Sequence, residues 1–329
     1  MGDRRHPADD ACARRLSDAG PRHVLDILAL GEAMVEFNQT GDAGGRLYLQ
    51  GFGGDTSNFA VSAARQGARV GYLSAVGDDA YGALLRELWR NEGVDASGVR
   101  IDADAFTAIY VVTHDAAGHH FSFFRRGSAA SRMTPAQLSR AQIEAARVLH
   151  LSGISLALSE VALDTCFAAI AIARSAGVRV SFDTNLRLKL WPLGRARPAI
   201  ENAIACADIC LPSHDDLAAL LGLSQPEAML DHCLALGAKV VALKCGAHGA
   251  WVADAGRRIR IPPHPCHAVD ATGAGDAFGG AFVARLVAGD DLELAGRYAA
   301  ATAALSTEGY GAVAPIPHAE RVLAALRAG

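Results

Sequence analysis

An α/β protein with a mainly parallel central sheet, helices on both of its faces and a small β lid is the fold class this sequence predicts. Three observations carry that expectation. Short β-type runs alternate with helical periods from Val24 onward, two stretches interrupt the alternation without helical period, and a Gly-Ala-Gly turn leads straight into an apolar helix at Asp270 to Leu286. Alternation of this kind needs crossover connections, which lay strands side by side in parallel and put the helices on the faces. Ligands of such sheets sit beyond the carboxyl ends of the strands.

Taken in order, residues 1–22 are polar, contain Pro7 and Pro21 and show no apolar period, so they read as a disordered extension and the folded domain is expected over 23–329. DILALG opens the sheet, GGDTSNFAVSAARQG follows as a helix, ARVGYLSAVG as a strand and YGALLRELWRNEG as the next helix. The pattern returns in VLHLSG (148–153), VALDTCFAAIAIARSAG, VRVSFDTN, a helix around Pro198 to Cys206, ADICLPS, two helices ending at Leu236, and VVALK (240–244). Loops after VSF, after VALK and after a strand preceding Asp270 are expected to converge at one end of the sheet. Residues 33–50 and 106–125 read as strands and hairpins, the second turning at DAAG, and their expected place is a lid over the strand ends.

Composition removes several classes of function. A net charge of −4 provides no positive field for a nucleic-acid backbone, so an anionic ligand needs local arginines. Apolar runs such as Ala299 to Leu305 fall far short of the roughly 20 residues that cross a membrane, and neither a span nor a signal peptide is expected. Seven cysteines, odd in number and without a CxxC pair, fit reduced thiols in a cytoplasm. The groups His264, Cys266, His267 and His119, His120 lack a second ligand pair at metal spacing, so no protein-held metal is expected.

The chemistry concentrates in DATGAGDAF, Asp270 to Phe278. Gly273, Ala274 and Gly275 precede a carboxylate at a helix start, where backbone N–H groups and the helix field favour an anion, and Asp276 is placed to take a proton from an attacking hydroxyl. Phosphoryl transfer to a hydroxyl follows, although the same turn also serves as a plain tight connection. No GxxxxGK[ST] occurs and no GxGxxG follows a strand, so the phosphate cradle is of another type. Near the front, Gly54, Asp55 and Asn58 open a helix, as ligand-facing groups or as an ordinary cap. Asp183, Asn185 and Arg187 follow the strand VRVSF, where the arginine is a carboxylate or phosphate reader or a solvated rim residue. Lys244, Gly246 and Gly249 follow VVALK, bordering a nucleotide or only turning between strands.

Taken together, DATGAGDAF, the Gly-Gly helix start and the KxGxxG of LKCGAHG resemble the PfkB, ribokinase-like carbohydrate kinases over about residues 24 to 318. Within that family GEAMVEF, GFGGDTSN, HLSGISLAL, FDTNLRLKLW and LSTEGYGAV are similar to the kinases of 2-keto-3-deoxygluconate. The resemblance implies a ribokinase-like three-layer sandwich, ATP as donor and Mg²⁺ carried on phosphates and water. It implies Asp276 as the base with the N–H groups of Ala274, Gly275 and Asp276 as the anion hole. Sugar contacts are implied at Gly54, Asp55, Asn58, Tyr110, Phe123, Arg125 and Arg187, with the two arginines as the candidates for reading a substrate carboxylate, either one or both. Nucleotide contacts are implied at Asn185, Arg187, Ser213, Lys244, Gly246, Gly249 and the 273–276 turn. It further implies a homodimer paired through the open edges of the lid. Two departures from the family pattern are Ala271 in place of a hydroxyl residue and a phenylalanine at Phe123 or Phe124 in place of an aromatic hydroxyl. Fructokinases and ribokinases share the base and the glycines but need no carboxylate reader.

Overall fold

The computed structural model describes residues 24–41, 44–115 and 118–328, so the polar segment read as an extension lies outside it. The chain begins with strand β1 (Leu25–Leu30), the lid strands β2 (Met34–Gln39) and β3 (Tyr48–Gly53) and helix α1 (Asp55–Arg65). It continues through β4 (Val70–Gly77), α2 (Ala80–Asn91), β5 (Val99–Asp102) and two further lid strands, β6 (Ile109–Asp115) and β7 (Gly118–Phe124). The middle third contains α3 (Arg140–Glu144), β8 (Ala146–Ser152), α4 (Gly153–Ala157), α5 (Glu160–Ser175), β9 (Arg179–Asp183), α6 (Leu193–Cys206) and β10 (Ile209–Cys210). Then come α7 (His214–Leu221), α8 (Pro226–Leu236), β11 (Val240–Lys244), β12 (Ala250–Ala253), β13 (Arg258–Ile261), α9 (Ala274–Ala288), α10 (Leu292–Ser306) and α11 (Ala319–Ala328). Among the described residues no helix is long and apolar enough to cross a membrane.

Nine strands form one sheet in the order β13-β12-β11-β10-β9-β8-β1-β4-β5. From β5 to β11 every pairing is parallel, and β12 and β13 add two antiparallel pairings at the edge. The period-two pattern of each strand sorts its side chains between two cores. Leu28, Leu30, Leu149, Leu151 and Phe182 enter one core with α5, α6 and α8, whereas Ile27, Ala29, Val148, Ile209 and Ala242 enter the other with α1, α9 and α10. This is the ribokinase-like three-layer sandwich, and it brings the carboxyl ends of β1, β9 and β11 to one side.

The lid is a separate four-stranded sheet, β3-β2-β6-β7. Its two outer pairings are antiparallel hairpins, but β2 and β6 run parallel, because the β4–α2–β5 unit intervenes between the hairpins in the chain. Asp115 pairs with Gly118, and the two residues of DAAG between them lie outside the described set.

The strand before Asp270 is edge strand β13, which runs antiparallel to β12 and so in the direction of β11, and residues 262–269 lead from its carboxyl end to Asp270 without forming a ladder, since Pro262, Pro263 and Pro265 have no N–H to offer a neighbouring strand. One expectation is corrected: the first helix starts two residues later than its glycines suggest, because Gly53 still belongs to β3 and Gly54 is the cap.

Candidate active site

Two cavities meet at the carboxyl ends of the strands. A long cleft of about 1040 Å³ is lined by Asp183, Ser213, Lys244, Gly246, Ala274 and Gly275 among others. A smaller cavity of about 190 Å³ lies under the lid and is lined by Gly54, Asp55, Asn58, Tyr110, Phe123 and Arg125. Asn185, Arg187, Gly273 and Asp276 line both. The residues that the sequence spread over some 220 positions therefore surround one junction, with Asp276 in its wall.

The junction is built on the start of α9. Gly273 caps this helix in the left-handed conformation, φ 76°, and an added Cβ would lie 2.9 Å from the Ala312 carbonyl oxygen, so glycine alone fits this turn. The preceding loop is tied down by Asp270, whose Oδ1 accepts from Thr272 N–H at 2.9 Å and whose Oδ2 accepts from Gly311 N–H at 2.9 Å. Ala274 N–H is bonded to the Ala271 carbonyl at 3.2 Å. The anion hole expected from three N–H groups is thus narrowed to those of Gly275 and Asp276, both at the helix mouth. The substitution at Ala271 leaves this backbone arrangement intact.

Asp276 is gripped from α1. Asn58 Nδ2 donates to Asp276 Oδ2 at 2.9 Å, and Ser62 Oγ, one turn further along α1, donates to the Ala277 carbonyl at 2.8 Å. Asn58 Oδ1 is buried without a partner and borders the smaller cavity. Loss of hydration among these walls, together with the charges of Asp55 and Asp183, pushes the Asp276 carboxyl up to about 8, while the Asn58 hydrogen bond and Lys244 oppose the rise. A carboxylate with its affinity for protons raised this far is a competent base near neutral pH.

The end of β9 supplies the third side. Lys244 Nζ donates to Asp183 Oδ2 at 2.5 Å, and burial raises the Asp183 carboxyl against the pull of that ammonium. The same Nζ stands 3.7 Å from where a Cβ of Gly275 would lie, so a lysine charge flanks the helix mouth. Asn185 takes φ 28°, a left-handed conformation uncommon outside glycine, and its Nδ2 donates to Asp55 Oδ2 at 3.2 Å. Ser213 begins α7 beside Lys244. Gly246 reaches the cleft wall, whereas Gly249 packs against the backbone of Ile261 to Pro263 and serves the β11–β12 turn.

On the lid, Tyr110 is buried and donates its hydroxyl proton to Glu36, which leaves only its lone pairs for a ligand. Phe121 and Phe123 are exposed aromatic walls of the smaller cavity. Arg125 is in contact with the buried Glu32, and Arg187 is exposed with Nη1 on the Leu186 carbonyl. Sequence reasoning missed Glu32, Thr272, Ala312 and Ile154, and in the cleft His248, Trp251 and Arg260. Only Glu32 carried a local signal, as an acid directly past the end of a buried strand.

The arrangement offers two N–H groups at a helix mouth, a carboxylate of raised basicity and two cavities that share this wall. It is suited to passing a phosphoryl group from a ligand in the large cleft to a hydroxyl in the small one. The cleft wall carries Asp183 as well as Asp276, a carboxylate that could meet the water shell of a phosphate-borne Mg²⁺.

Comparison with known proteins agrees with this geometry. The sequence profile of the pfkB family carbohydrate kinases matches residues 25–319. The 2-dehydro-3-deoxygluconokinase of Thermoproteus tenax is 35 % identical over 92 % of this chain and 95 % of its own. Fructokinase-1 of Oryza sativa subsp. japonica is 33 % identical over 90 % of this chain and 96 % of its own. The crystal structure of a putative ribokinase II from E. coli in complex with ATP and Mg²⁺ superposes with a TM-score of 0.85 at 25 % identity, covering 93 % of this chain and all of that one.

Proposed function

The chain belongs to the pfkB family of carbohydrate kinases and transfers phosphoryl groups to a sugar hydroxyl, and from that premise we propose that its substrate is 2-keto-3-deoxygluconate. ATP in the large cleft is the donor, the terminal (C6) hydroxyl is the acceptor, and the product is 2-keto-3-deoxy-6-phosphogluconate. The observation that carries this reading is the pair of arginines, Arg125 and Arg187, lining the small cavity whose wall contains Asp276. A neutral hexose has no charged group to pair with the exposed guanidinium of Arg187.

In this reading Asp276 takes the proton of the attacking hydroxyl while Asn58 holds its carboxylate in place. The N–H groups of Gly275 and Asp276, with Gly273 shaping the turn, stabilise charge developing on the transferring group. Lys244, Asn185, Ser213 and Gly246 hold the nucleotide, and Gly54, Asp55, Asn58, Tyr110 and Phe123 hold the sugar. Asp183 would hold the water shell of a Mg²⁺ ion, which would supply neutralisation of phosphate charge. The lid excludes water, whose hydroxyl competes with that of the sugar. Open lid edges support a homodimer, and the unpaired thiols support a cytoplasmic setting.

Fructose is the second reading, favoured by the similarity to the rice fructokinase and by the occupation of Arg125 by Glu32. The deciding test is ADP release with ATP and a panel of 2-keto-3-deoxygluconate, its galactonate-derived epimer, fructose and ribose. A higher kcat/KM for fructose or ribose than for either sugar acid sinks the proposal.

A further inference from the structure

Glu32 has no role in the proposed reaction, yet it is buried against one of the two arginines. It lies between β1 and β2, where the chain enters the lid, and Arg125 follows β7, where the chain leaves it. Arg125 Nε donates to Glu32 Oε2 at 2.7 Å, Nη2 stands 2.7 Å from the same oxygen, and Ser128 Oγ donates to Oε1. The Glu32 side chain is 1 % exposed and that of Arg125 12 %. Both carboxylate oxygens act as acceptors, as in an ionised carboxylate. Arg125 Nη2 is buried without a well-formed hydrogen bond, and the residue borders the small cavity. Arg187, also in that wall, is exposed and has no carboxylate partner among the described residues.

Resting on the sugar-acid reading, we infer that Glu32 is a positioning residue for substrate recognition: it fixes the guanidinium of Arg125 and cancels its charge, so that the uncompensated cations of the wall, Arg187 with Lys189 beside it, set the preference for an anionic sugar. Two opposite charges in contact act at a distance as a dipole, and a substrate carboxylate feels full attraction only from the unpaired one. Arg125 retains directed N–H groups, which serve a hydroxyl, a carbonyl oxygen and a carboxylate alike. Its recognition is therefore common to acidic and neutral sugars, and the discrimination lies in the uncompensated cations, Arg187 foremost.

The test compares kcat/KM for 2-keto-3-deoxygluconate and for fructose, with ATP and Mg²⁺, in the full chain and three variants. Arg187→Ala is expected to lower the acid-to-neutral ratio about tenfold or more, as loss of a charge-assisted contact implies. Arg125→Ala is expected to weaken both substrates and to move the ratio by less than about threefold, since a directed donor is lost to each. Glu32→Gln uncovers the Arg125 charge, so the KM for fructose rises while the ratio moves toward the acid by about threefold or more, with the KM for ATP unchanged. A ratio unmoved or lowered in Glu32→Gln, or a selective loss of the acid in Arg125→Ala, overturns the inference. Should Glu32→Gln fail to fold, the two arginine variants decide between the same outcomes. If the wild-type chain phosphorylates fructose but no sugar acid, the proposed function falls and Glu32 is judged on fructose alone: a wild-type KM in Glu32→Gln then overturns its positioning role, and a raised KM with unchanged kcat upholds it.

Discussion

Asn58 Nδ2 donates to Asp276 Oδ2 at 2.9 Å across 218 residues of sequence, joining the first turn of α1 to the first turn of α9. The bond orients the carboxylate, and the surroundings of that carboxylate are costly, since burial and the nearby Asp55 both resist its ionisation. Asp276→Asn keeps the shape and removes the base. Turnover is expected to fall by roughly 10² to 10⁴, measured as ADP release under saturating ATP and sugar.

The same substitution is expected to stabilise the fold. Because the folded-state value near 8 lies above that of the unfolded chain, the protonated form of Asp276 is compatible with the fold at acidic pH and stability is lost as pH rises through 8. At pH 8.5 the Asn variant should melt higher than the wild type by about 2 °C or more, the gap narrowing as pH falls toward 6. Equal melting temperatures across that range would falsify the assignment of a strained carboxylate.

Rate should follow the same titration. A base must be deprotonated, so kcat/KM is expected to rise with pH along a limb whose midpoint is near 8. Asp55→Asn removes a like charge and should move that midpoint to lower pH, whereas Lys244→Met removes an opposing cation and should move it higher. Both variants shifting in one direction would contradict the electrostatic account.

Lys244→Met has a second expected effect. Its ammonium bridges Asp183 and the helix mouth that faces the large cleft, so its loss should raise the KM for ATP by roughly 10- to 100-fold, the value of one charge-assisted contact, with a much smaller change for the sugar. Initial-rate measurements with each substrate varied separately resolve the two.

Gly273→Ala probes the turn itself. A side chain at φ 76° that meets the Ala312 carbonyl at 2.9 Å is expected to cost about 1 to 3 kcal/mol of stability and to displace the Gly275 and Asp276 N–H groups. Urea unfolding should show the loss, and kcat should drop at least about tenfold, since an oxyanion donor misplaced by a fraction of an ångström loses most of its effect.

Legibility in the sequence followed the range of the interactions involved. The βα alternation, the lid segments and the DATGAGDAF loop were readable because they rest on local periodicity and local turn chemistry. Glu32 was overlooked although its position past β1 was visible, because its meaning depends on Arg125, 93 residues away.

By itself, the amino-acid order determined the alternating α/β class and the glycine turn that opens α9, since each follows from hydrogen-bonding and steric demands between near neighbours. Tertiary packing alone decided that Asn58, Asp183, Lys244 and Asp276 share one junction, that Asp276 carries a raised affinity for its proton, and that one arginine of the sugar cavity is charge-compensated while the other is not. Burial and Coulomb energy depend on distances between residues remote in the chain, and no local pattern encodes those distances.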